Sequence, residues 1–76
     1  MNDALNQWAD RTARRFPYSA AQFITCAELA QPLFDDDNVV FKMVEKVAEC
    51  AVATGRDLFV EFDLIATALN KMADKP

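Results

Sequence analysis

The chain has 76 residues with 53% hydrophobic side chains, one glycine, two cysteines and no histidine, and its eight Lys and Arg against twelve Asp and Glu leave a net charge of −4. A chain this short forms one domain, spanning 1–76, and buries only about 60% of the surface its unfolded form exposes, which makes self-association an expectation from the outset. Its acidic balance has the wrong sign for general affinity to phosphate backbones or anionic lipid, so the expected partners are proteins, basic ones among them.

The opening residues Met1 to Trp8 contain neither a basic n-region nor an apolar h-region, and no apolar run approaches the ~20 residues of a membrane span. A cytoplasmic location is therefore expected, with Cys26 and Cys50 as reduced, buried small hydrophobes. Pro17, Pro32, Gly55 and Pro76 are the only strong punctuation, hairpin dipeptides are absent, and apolar residues recur three and four apart. The fold class expected is all-α, a compact bundle of about four helices, dimeric.

The first predicted helix runs from about Asp3 to Arg15, capped by Asn2 or Asp3, with Leu5, Trp8, Thr12 and Phe16 on one face before Pro17 turns the chain. Arg11, Arg14 and Arg15 line its other side as a possible basic patch, with Asp10 placed to pair with Arg14. The second helix carries a capping box, Ser19 with Gln22, and a hydrophobic staple from Tyr18 to Phe23, and ends near Gln31.

Asp35, Asp36, Asp37 and Asn38 supply a cap and favourable negative charge for a third helix from about Val39 to Thr54, closed by Gly55. Apolar residues sweep well over half of its circumference around a polar stripe of Lys42, Glu45, Lys46 and Glu49, which predicts a central helix covered on more than one side. The last helix, Asp57 to about Ala73, presents Leu58, Phe59, Phe62, Ile65, Ala66, Leu69 and Met72 on one face. It starts either as one long helix capped by Asp57 or after a short extended turn. Val60 and Leu64 lie off that face and are expected at an exposed apolar patch.

Chemistry finds little purchase here. Without an imidazole no Ser or Cys nucleophile has its usual base, and two distant cysteines cannot build a zinc site, so neither an enzyme, a cofactor nor a metal is expected. Counted as a calcium loop from Asp35, the sixth and twelfth positions are Val40 and Lys46, where glycine and glutamate are required. A recognition helix in a major groove would present Asp35 to Asp37, or Asp57, Glu61 and Asp63, to phosphates that repel them. Nucleic-acid binding would therefore have to use the arginine patch.

What remains is protein binding, with Phe34, Asp35, Asp36, Asp37, Phe41, Val60 and Leu64 as the candidate contact residues, because aromatic side chains bounded by charge make good anchors. The expected function is a non-catalytic adaptor or regulatory module that homodimerises. The alternatives are an acidic antagonist, of the kind phages and mobile elements encode, that blocks a host nucleic-acid-related protein, and a small DNA-binding regulator.

The stretch from Val47 through Gly55, Arg56 and Asp57 to Leu69 resembles the end of a histone fold, where a long helix passes a Gly-Arg turn and a short extended piece into a final helix. It is also similar to the second half of a repeat in the N-terminal domain of Clp-family unfoldases. Each resemblance covers about a third of the chain and implies an interlocking helical pair, without assigning any residue a role. The helix before Gly55 is short for a histone fold and its basic residues are missing, while a Clp domain has two such repeats.

Overall fold

The computed structural model describes residues 3–73 and contains four α-helices and one 3-10 turn: α1 (Asp3–Ala13), α2 (Ala20–Ala30), η1 (Gln31–Leu33), α3 (Asp37–Thr54) and α4 (Leu58–Ala73). The expected all-α bundle is what forms; among the described residues there is no strand. No helix among them is long and apolar enough to cross a membrane.

Local chemistry sets most of the helix ends. The Ser19 hydroxyl accepts the Gln22 amide at 3.2 Å while the Ser19 amide donates to Gln22 Oε1 at 2.9 Å, so the capping box closes in both directions. Tyr18 staples onto Phe23 with ring centroids 6.2 Å apart. Asp36 caps α3 by accepting the Asn38 amide at 2.8 Å, which starts that helix two residues before the expected Val39. Asp57 accepts the Phe59 amide at 2.9 Å and α4 runs unbroken from Leu58, so of the two expected starts the single helix capped by Asp57 is the one that forms.

Gly55 adopts φ +71°, and α3 closes with the Arg56 amide on Ala51 O at 2.9 Å and the Gly55 amide on Val52 O at 3.3 Å. A Cβ at Gly55 would meet no neighbour within 4 Å, so only the backbone penalty acts there. Gly55→Ala is expected to cost roughly 1–2 kcal/mol, read as a lower urea midpoint with an unchanged slope. A midpoint equal to wild type would remove the αL requirement from the turn.

The expected first helix is shorter than its sequence suggested. It ends at Ala13, and Phe16 lies in the bend beyond it, half-buried, with its ring 5.9 Å from that of Phe23. The possible cap Asn2 lies outside the described residues, and Asp3 is helical.

The central position belongs to α2 rather than to α3. Phe23, Cys26, Ala27 and Ala30 of α2 are fully buried, and this helix lies against α1, α3, α4 and η1. Its run of small side chains allows helices to approach on several sides, whereas α3 keeps Val39, Cys50 and Val52 exposed. Val40, Val44, Val47, Ala48 and Ala51 of α3 are buried in the core, with Phe41 and Met43 packed half-buried against it. The molecule measures 39 × 29 × 14 Å, and so thin a body cannot put a second layer over every helix.

Candidate functional site: an apolar recess with an acidic edge

The helices differ in length where they run side by side. Tyr18, before α2, donates its hydroxyl to the Arg56 carbonyl, before α4, at 3.0 Å, so the two helices start together. At 1.5 Å per residue, α4 with 16 residues reaches ~24 Å and α2 with 11 reaches ~16 Å. Pro32 ends α2 and bends the chain through η1, which brings Leu33 and Phe34 opposite Leu69 and Asn70 in the last turns of α4.

The consequence is an open recess of about 210 Å³ lined by Leu33, Phe34, Leu69 and Asn70. Three of the four lining residues are apolar. It is smaller than the ~300–1,000 Å³ of small-molecule sites and has room for one or two side chains. Phe34 is half-buried against the core, and Asp35, Asp36 and Asp37, all exposed, follow it directly in the chain. Three carboxylates thus stand within three residues of the lining residue Phe34, while Lys71, one position after Asn70, turns with Val60 and Leu64 to the outer side of α4.

The expected contact residues separate into three places. Phe34 lines the recess, and Asp35 to Asp37 follow it in the chain, exposed. Phe41 does not stand at a free rim: it stacks on Trp8 with ring centroids 4.6 Å apart and planes 13° from parallel. Val60 and Leu64 are 52% and 49% exposed, as expected, on the outer face of α4. Phe59, placed by its spacing on the inner face, is 37% exposed, and Met72, also placed there, is 70% exposed because it lies past the core.

The stack of Phe41 is one part of an aromatic cluster that ties α1 to α2 and α3. Trp8 meets Phe23 edge-on at 5.8 Å and donates its indole N–H to Glu45 Oε2 at 2.8 Å. The second oxygen of Glu45 takes Arg15 Nη1 at 3.4 Å, and the Arg15 guanidinium sits 5.2 Å from the centre of the Phe16 ring. Arg15, though still exposed, is thereby partnered, and Arg11 and Arg14, also exposed, are the rest of the basic patch. Asp10 and Arg14 do not pair.

A polar corner lies at the start of α4. Glu61, which a recognition helix would have had to present to phosphates, is 7% exposed and takes Arg56 Nη1 at 2.9 Å. Cys26 is buried here; burial, helped by the charge of Asp57, pushes its thiol up to about 12. Burial also raises the Tyr18 hydroxyl, with Asp57 and Glu61 adding to it. Cys50, expected in the core, is instead exposed on α3, and both thiols are free.

Sequence reasoning missed Leu33, Leu69 and Asn70 as lining residues, and Glu45, Arg56 and Glu61 as partners of buried groups. The Pro32 bend was visible, yet which helix outruns which is a tertiary property. Among the described residues no group of three or more metal-ligating side chains occurs, and every buried side-chain nitrogen or oxygen has a hydrogen-bond partner. Compared with known protein families, with curated proteins and with solved structures, the chain matches none.

Proposed function

We propose that this chain is a non-catalytic protein-protein interaction module, a small adaptor or regulatory domain, that docks a basic segment of another protein through an apolar anchor residue. The observation that carries the reading is the recess between η1 and α4: apolar, open and sized for a side chain, with the exposed carboxylates of Asp35, Asp36 and Asp37 following its lining residue Phe34 in the chain. An aliphatic or aromatic anchor fills the pocket, and neighbouring Lys or Arg side chains meet the carboxylates. Burial of the anchor supplies affinity, while the charges supply on-rate and selectivity.

The experiment is fluorescence anisotropy with labelled peptides that carry one leucine flanked by arginines or by glutamates. The arginine peptide is expected to bind, more weakly at higher salt, and the glutamate peptide is not. Replacing Asp35, Asp36 and Asp37 by asparagine keeps the α3 cap, since asparagine caps as well as aspartate, and is expected to weaken binding at least tenfold. Leu33→Ser, at an exposed position, is expected to weaken it similarly. Equal binding of both peptides, or affinity untouched by either variant, contradicts the proposal.

The acidic edge also favours a second reading, an antagonist that covers the basic nucleic-acid-binding surface of its target. Under that reading duplex DNA displaces the module from its target; under the adaptor reading it does not.

A further inference from the structure

The outer face of α4 carries an arrangement that the recess does not use. Val60, Leu64 and Ala68 succeed one another at four-residue spacing and form an exposed ridge along the helix. Lys71 stands seven residues after Leu64, two helical turns away and on the same side as the ridge, and Asp57, which caps α4 just before its first turn, stands seven residues before Leu64 at the other end. The face thus has a negative end, an apolar middle and a positive end. Both charged side chains are exposed, and Asp57 spends only its Oδ2 on the Phe59 amide.

We infer that this face is a self-association surface on which α4 of a second copy packs antiparallel, with the two-fold axis at Leu64. That register sets Leu64 against the Leu64 of the other copy, Val60 against Ala68, and Asp57 against Lys71 at both ends. A two-fold interface must be complementary to itself, and a face charged oppositely about its centre meets that condition only in the antiparallel direction. A parallel pairing would set Asp57 on Asp57 and Lys71 on Lys71. The outer face of α3, by contrast, breaks up its exposed Val39, Cys50 and Val52 with Lys42, Lys46 and Glu49, and Phe41 is drawn inward onto Trp8, so the continuous ridge that can carry the dimer is that of α4. One helix ridge is a small interface, and interfaces burying less than ~1,200 Å² are weak, so the dimer is concentration-dependent.

The test is sedimentation equilibrium of the full chain across a dilution series, with Asp57→Lys and Lys71→Asp each alone and mixed one to one. Wild type is expected to rise from 8.5 kDa toward twice that mass. Each variant alone, with like charges opposed at both ends, should associate at least tenfold more weakly. The mixture should recover the loss, because each end of the mixed pair again opposes a lysine and an aspartate. Because Asp57 also caps α4, a Leu64→Cys chain in a Cys50→Ser background gives a readout independent of the charges: air oxidation should yield a disulfide dimer, whereas Lys46→Cys in the same background should not. A wild-type monomer at every concentration, a mixture no stronger than its components, or cross-linking through position 46 rather than 64 overturns the inference. None of these results bears on peptide binding at the recess, which stands or falls separately.

Discussion

Trp8→Ala is expected to cost about 3–5 kcal/mol, comparable with the whole stability of a domain this small, and to leave the chain largely unfolded at neutral pH. The indole is 4% exposed and joins three elements at once: it stacks on Phe41, meets Phe23 edge-on and holds Glu45 by its N–H. Removing it opens a large cavity, takes the partner from one Glu45 oxygen, and frees the Phe41 ring. Trp8→Phe keeps an aromatic face and loses the 2.8 Å hydrogen bond, so its cost should fall to about 1–2 kcal/mol. Far-UV circular dichroism with urea measures both. A Trp8→Ala chain within 1 kcal/mol of wild type would mean that the aromatic cluster does not hold α1 to the bundle.

The second large effect is alkaline. The Cys26 thiol is pushed from 9.0 up to about 12 in the folded chain, so between those values the unfolded state gives up its proton while the folded state keeps it. The folded state then binds more protons than the unfolded one, and stability falls as pH rises. The contribution is intact below pH 9 and declines by about 1.4 kcal/mol per unit above it, for a total of about 4 kcal/mol near pH 12. Tyr18, also raised, acts in the same direction. Urea unfolding of wild type and Cys26→Ala from pH 7 to 11 separates the thiol from every other titrating group: the two curves should converge or cross as the wild type loses stability faster. Curves that stay parallel would show that the thiol ionises as easily folded as unfolded. At neutral pH the same burial should leave Cys26 unreactive to thiol reagents, while exposed Cys50 reacts.

Features decided by neighbours in sequence were legible before the fold was known. Ser19 with Gln22, Tyr18 against Phe23, and Gly55 at the end of α3 each depend on a few adjacent residues, and each appears where the sequence put it. The exposure of Val60 and Leu64 followed from helical periodicity alone. What failed depended on partners far along the chain. An apolar arc on α3 does not say which of its sides find cover, and the thin bundle left Val39 and Val52 without any.

Charged residues misled for a related reason. Glu45 belonged to a polar stripe, yet its carboxylate serves an indole 37 positions away, and Glu61 read as a surface acid until Arg56 is seen to hold it. The recess was the least legible feature. It arises where α4 outlasts α2 and the chain bends through η1, so Phe34 could be singled out while Leu33, Leu69 and Asn70 could not.

The claim that the recess beside Asp35 to Asp37 docks a basic segment is tested most directly by amide chemical-shift mapping of the whole chain during titration with the arginine-flanked leucine peptide. Saturable shifts centred on Leu33, Phe34, Leu69, Asn70 and Asp35 to Asp37, and lost in the triple asparagine variant, are the predicted result. Shifts confined to α1, or to the outer face of α4 around Leu64, would contradict it and place the partner surface elsewhere.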